Sequence, residues 1–141
     1  LWDVRDYAEA ADVFLQVSQH PRAPTWTRDL AAAVYARAGR REIARRMWRD
    51  RLEQGENEHV RENARYQLLC LQAEEEVERL HELVRAFRRE RGRWPASWHE
   101  LILVGALTHP PRDPLGYPYQ LDPATGAVRL STQSPLILPR L

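Results

Sequence analysis

The sequence contains no lysine: all 21 of its Lys and Arg residues are arginine, set against 20 acidic residues for a net charge of +1. A balance this close excludes a global field that would draw the chain to nucleic acid or an anionic membrane. The arginine bias fits GC-rich coding better than phosphate recognition. A single cysteine, Cys70, excludes an internal disulfide framework. No run approaches the roughly 18–20 apolar residues of a membrane-spanning helix, and no signal peptide is visible. Catalytic signatures are absent too. The histidines, at 20, 59, 81, 99 and 109, have no metal-ligand spacing and are expected at the surface. Glu74, Glu75, Glu76, Glu78 and Glu82 form a carboxylate-rich stretch. Consecutive helical residues point apart, so they are expected on a solvated face, with Glu75 reaching Arg79. No metal, cofactor or catalytic residue is therefore expected. What remains is a folded chain, 43% hydrophobic and 29% charged.

Glycine and proline are missing from one long stretch, Asn57 to Arg91. It predicts a continuous helix over 58–91, about 50 Å long at ~1.5 Å per residue. Asn57 is a favourable N-cap, and Arg85, Arg88, Arg89 and Arg91 suit the C-terminal end of the helix dipole. Tyr66, Cys70, Ala73, Val77, Leu80, Val84 and Phe87 recur at alternating spacings of four and three, an unbroken apolar seam. Val60, Ala64, Leu68 and Leu71 widen it at the N-terminal half. Tyr, Cys and Ala are not zipper residues, so the seam reads as a helix packed in its own domain, with Cys70 buried and inert.

Before this rod the pattern gives three helices. The first covers about 3–19, with Val4, Tyr7/Ala8, Ala11, Phe14/Leu15 and Ser18 at helical spacing. The second, capped by Thr25, runs to about Ala38 with Leu30, Ala33/Val34 and Ala38 inward. The third covers about 40–54. Short connections make neighbours antiparallel. Tyr35, Gly39, Ala44, Trp48 and Leu52 together resemble the middle of a tetratricopeptide repeat, which implies an antiparallel helical-hairpin module that binds other proteins. The chain opens on Leu1-Trp2 within a helical pattern and without methionine, as expected of a fragment of a longer protein.

After Gly92 the composition changes. Trp94-Pro95 reads as extended, Ser97 caps a short helix over 98–104, and Pro and Gly then dominate. Tyr119-Gln120-Leu121 and Val128-Arg129-Leu130 flank a turn at Gly126 and read as a β-hairpin. Leu136-Ile137-Leu138 needs cover or a partner. Gly92, Trp94, Pro95, Asp113, Pro114, Gly116, Pro118, Tyr119 and Gly126, in that order after a helix, resemble the soluble part of the major pseudopilin of type II secretion and the wider type IV pilin-like group. The resemblance implies a long helix packed on a small antiparallel sheet, begun by the Asp-Pro-x-Gly-x-Pro-Tyr turn, and an envelope setting. In that turn Pro114 fixes φ, Gly116 supplies positive φ, and Tyr119 buries its ring with its hydroxyl wet. Leu115 stands where the family usually has Trp. The family's calcium loop would follow Ser131, but 131–134 carries no carboxylate, so calcium is not expected.

Between Arg37 and Arg51 lie seven arginines against Glu42 and Asp50. Arg37, Arg41, Arg45 and Arg49 form a row at i,i+4, read either as a solvated face or as a contact for an anionic partner. Trp26, Trp48, Trp94 and Trp98 are expected in the core or at a module junction, and Trp2 at a partner interface. The fold class expected is mainly α with a small α+β C-terminal part, divided at 1–72 and 73–141 and joined by the continuous helix into one rigid body. The function expected is that of a non-enzymatic interaction or scaffold subunit, an accessory component of a secretion- or pilus-like assembly in the bacterial periplasm or membrane-associated envelope. The alternatives are a cytoplasmic adaptor that binds acidic partners through 40–54 and a nucleic-acid-binding module. Nucleic acid is the weakest of these, because no aromatic platform accompanies the arginines.

Overall fold

The computed structural model describes residues 4–139. It is mainly α with a small α+β part: α1 (Val4–Ser18), α2 (Trp26–Arg37), α3 (Arg41–Gln54), α4 (Glu58–Arg91), α5 (Trp98–Leu103), β1 (Gln120–Leu121) and β2 (Val128–Arg129). The chain divides into two compact units, one ending at Leu71 and the other spanning Gln72–Leu138, so α4 lends residues to both.

The first unit is built on small side chains. Ala11, Ala32, Ala44 and Ala64 are buried to 0% exposure together with Tyr35, Trp48 and Leu71. Alanine lets helix axes approach closely, and the two large rings fill the space that remains. Tyr35 keeps its hydroxyl bonded by donating to Asp12 at 2.6 Å. The inward face of α2 is Thr27, Ala31, Ala32 and Tyr35. Of the expected inward residues, Ala38 is buried and Ala33 and Val34 are half-buried against the core, but Leu30 is exposed, which corrects that position. A second correction concerns the start of α2. Thr25 already has helical φ and ψ (−61°, −29°) and makes no side-chain cap. An N-cap side chain reaches back only from an extended residue. Asn57 does cap, its Oδ1 accepting from Val60 N–H at 3.0 Å.

The seam of α4 is half-buried at Tyr66 and buried at Cys70 in the first unit, and buried in the second at Ala73, Val77, Leu80, Val84 and Phe87. Leu101, Tyr119 and Val128 pack on its second half, with Trp94, Trp98 and Leu138 at the edges. The strands pair antiparallel, Gln120 with Arg129 and Leu121 with Val128. Leu136 finds cover at 4% exposure, whereas Ile137 stays 76% exposed. Ser97 makes no cap. Glu100 instead ties the chain before the helix, accepting from Ala96 N–H at 2.8 Å while Arg93 holds both its oxygens at 2.9 and 2.7 Å.

Two glycines separate strain from crowding. Gly116 (φ +90°) and Gly126 (φ +72°) are both left-handed, but a Cβ on Gly116 would meet nothing within 4 Å and one on Gly126 would sit 2.4 Å from the Trp94 ring. Gly116→Ala is expected to cost about 1 kcal/mol for the backbone alone, and Gly126→Ala about 3 kcal/mol because the ring must also move. Urea denaturation of the two variants decides; equal losses would show that Trp94 does not need that close approach.

Candidate functional site

The Asp113-to-Tyr119 turn is organised by one carboxylate. Asp113 is 4% exposed. Its Oδ1 accepts from the N–H groups of Leu115 and Tyr117, each at 2.9 Å, and its Oδ2 accepts from the Ser134 hydroxyl. Its own backbone closes the loop: Asp113 N–H donates to Tyr117 C=O at 2.7 Å and Gly116 N–H to Asp113 C=O at 2.8 Å. Three donors on a buried carboxylate offset its desolvation. Pro114 and Pro118 need no N–H partner here, and Tyr119 N–H donates to Pro111 C=O at 3.1 Å.

Three polar links then fasten this loop and the hairpin to the helices. The Tyr119 hydroxyl donates to Glu76 Oε2 at 2.6 Å, Trp98 Nε1–H donates to Tyr119 C=O at 2.9 Å, and Val128 N–H donates to His81 Nε2 at 3.0 Å. The first and the third correct sequence expectations. The hydroxyl of Tyr119 meets a carboxylate rather than water, because its ring is 3% exposed and bulk solvent is out of reach. Burial, with Glu76 adding to it, pushes that phenol well above its ordinary pKa. Glu76 is half-buried rather than solvated, and so is His81. Burial holds the His81 imidazole below its usual pKa; Arg85 acts in the same direction, Glu78 and Glu82 against it. Gly92 ends α4, and Trp94 lies against Gly126 with the Arg88 guanidinium 4.1 Å from its ring centroid. Pro95 is among the most deeply buried side chains. The motif residues from Trp94 to Gly126 are thus brought together around the second half of α4.

Between α4 and the loop after α5 lies a cleft of about 480 Å³. The half-buried Leu83 and Leu107 give it an apolar patch above the buried Leu80, Pro111 and Tyr119, and Glu76, Arg79 and Arg112 line it with charge beside Thr108 and His109. No sequence signal marked this place, because its residues come from two segments that meet only in the folded core, where Leu101, Leu107 and Tyr119 pack on α4.

The arginine row is not uniform. Arg37 and Arg49 are exposed, while Arg41 and Arg45 are half-buried and engaged within the protein, Arg45 with Glu42. Arg51, outside the row, pairs with Asp29 at 2.6 Å. Trp2 lies outside the described residues. Trp48 is buried and Trp94 and Trp98 are half-buried, but Trp26 is 57% exposed, against the expectation of a core position. Leu30, one turn on, is exposed beside it. Together with the exposed Arg37 they line the outer face of α2. This face was hidden from sequence reasoning because an aromatic at helical spacing reads as core. The preference for Ala31 and Ala32 inward was the signal that would have turned the helix round.

Among the described residues no three His, Cys, Asp or Glu side chains are grouped so as to hold a metal ion, and no helix is long and apolar enough to cross a membrane. No family model matches the chain, and no curated protein or solved structure matches it either.

The His81 link predicts a pH response. A backbone N–H can only donate, so Nε2 must be unprotonated to accept from it. Because folding holds the pKa below its unfolded value, the stability from this link is present above pH ~6.5 and is lost as pH falls through the lowered folded pKa. His81→Gln, whose amide oxygen accepts at any pH, should flatten that part of the profile, whereas His81→Ala should cost about 1 kcal/mol at neutral pH. Melting curves from pH 8 to 5 test this; an unchanged profile in the Gln variant would remove His81 from the account.

Proposed function

We propose that this chain acts by holding other proteins rather than by transforming a substrate, as an accessory subunit of an assembly in the bacterial envelope. The observation that carries the reading is Trp26, 57% exposed on a regular helix with the exposed Leu30 one turn away. A tryptophan presented to water forfeits the burial of a large apolar surface, and such residues are characteristic anchors of protein interfaces. The helical-hairpin build of the first unit supports the same role, since the tetratricopeptide-like modules it resembles bind proteins. The envelope setting rests on the pilin-like order of the residues from Gly92 to Gly126. Arg37 and Arg49 extend the surface offered to a partner with acidic groups, at the rim rather than as the anchor. Use of the whole arginine row by a cytoplasmic adaptor has less support, because Arg41 and Arg45 are engaged inside the protein.

A photoreactive residue placed at Trp26 or Leu30 in cells of the source organism is expected to give discrete protein adducts in the membrane fraction. The same residue at the exposed Gln133 should not. Trp26→Ala should weaken the association tenfold or more, as roughly 2 kcal/mol from an aromatic anchor implies, while leaving the melting temperature within a degree or two. Adducts that form equally at all three positions, or only with cytoplasmic proteins or nucleic acid, would contradict the proposal.

A further inference from the structure

We propose that the cleft between α4 and the loop after α5 docks an extended segment of a partner protein in which aliphatic and acidic residues alternate. This inference rests on the interaction role above and assigns that role a second contact, on the second unit. The chemistry of the lining selects the occupant. Over the buried Leu80, Pro111 and Tyr119, the apolar side chains that reach the surface of the cleft are the half-buried Leu83 and Leu107 and the exposed Ala106, and the Tyr119 hydroxyl beneath them is already donated to Glu76 at 2.6 Å. Aliphatic side chains are what such a patch rewards. Two guanidiniums border it, Arg79 and Arg112, both exposed. Arg112 is held in place by donating one nitrogen to Gly116 C=O at 2.8 Å, and the remaining donors of its planar fork stay available. The only carboxylate in the lining is Glu76, and one of its oxygens is occupied by Tyr119. An incoming carboxylate therefore meets two guanidiniums against one engaged acid, and an incoming amine meets repulsion.

Neither half of the lining is satisfied by a simpler ligand. A bare anion would leave the apolar patch wet, and a purely aliphatic segment would strip water from Arg79 and Arg112 without repaying them. At about 480 Å³ the cleft has room for a few side chains, in the usual range for a specific pocket. Its walls are fixed before any partner arrives, because Tyr119 is tied to α4 through Glu76 and the loop leading into Tyr119 is closed by Asp113. A preformed groove spends less binding energy on ordering.

The test uses the intact chain, labelled with nitrogen-15, and two blocked pentapeptides, one alternating leucine with aspartate and the other leucine with arginine. The acidic peptide at millimolar concentration is expected to shift the amides of Leu83, Leu107, His109 and Tyr119, and the basic peptide to leave them in place. Arg79→Glu, at an exposed position, should weaken the acidic peptide about tenfold and leave the melting temperature unchanged. The assignment is overturned if the acidic peptide shifts none of these amides, if both peptides shift them equally, or if Arg79→Glu has no effect. It is also overturned if octanoate shifts them as strongly as the peptide, which would give the cleft to an amphiphile. Photoadducts at Trp26 that persist alongside any of these outcomes would remove the cleft alone and leave the interaction role standing.

Discussion

Two strands of two residues each cannot hold themselves together in water, so the second unit depends on what fastens them to α4. The fastening is polar as well as apolar. Val77, Leu80, Val84 and Phe87 supply a buried stripe for Leu101, Tyr119 and Val128. Burial alone is non-directional and would allow the hairpin to slide. The bonds from Tyr119 to Glu76 and from Val128 to His81 fix its place along the helix, at 2.6 and 3.0 Å. Trp94, pressed against Gly126, fixes its distance from the helix end. The cleft lined by Arg79 and Arg112 is a consequence of this arrangement, since its floor and its far wall belong to the two sides that these bonds join.

The first unit solves a different problem with different residues. A core of alanines allows three helices and the start of α4 to lie close, and Tyr35 and Trp48 occupy the gaps. Close approach has a geometric consequence: large side chains that do not fit between the axes must point outward. Trp26 and Leu30 are such side chains. Their exposure follows from how α2 packs, and it leaves an apolar surface on the outer face of that helix.

Much of the fold was legible in the sequence. Absence of Gly and Pro between 57 and 91 marked α4, Asn57 marked its start, and the seam from Cys70 to Phe87 marked its buried side. The Pro- and Gly-rich order from Asp113 to Gly126 marked the turn and hairpin, because φ restriction at Pro114 and positive φ at Gly116 are properties of single residues. The failures share one cause. Thr25 and Ser97 look like caps, but capping depends on backbone angles, which Thr25 does not meet. It depends also on where the side chain turns, which at the extended Ser97 is not back to the helix; a residue type reveals neither. Leu30 and Trp26 look buried, but which side of α2 faces inward is decided by Ala31, Ala32 and the Tyr35–Asp12 pair. Glu76 and His81 look solvated on a helix read alone. They are partners of residues 43 and 47 positions away, so nothing local identified them.

The claim on which the account turns is that the hairpin is fixed to α4 through these directional bonds, so that the cleft exists before any partner binds. Amide hydrogen exchange on the intact chain at neutral pH tests it most directly. Val128 N–H, donated to His81, should be protected to the level of the α4 amides around Leu80. Val128 exchanging as fast as the exposed loop at Thr132, with Leu80 still protected, would mean that the hairpin comes away from the helix, and the preformed cleft would go with it.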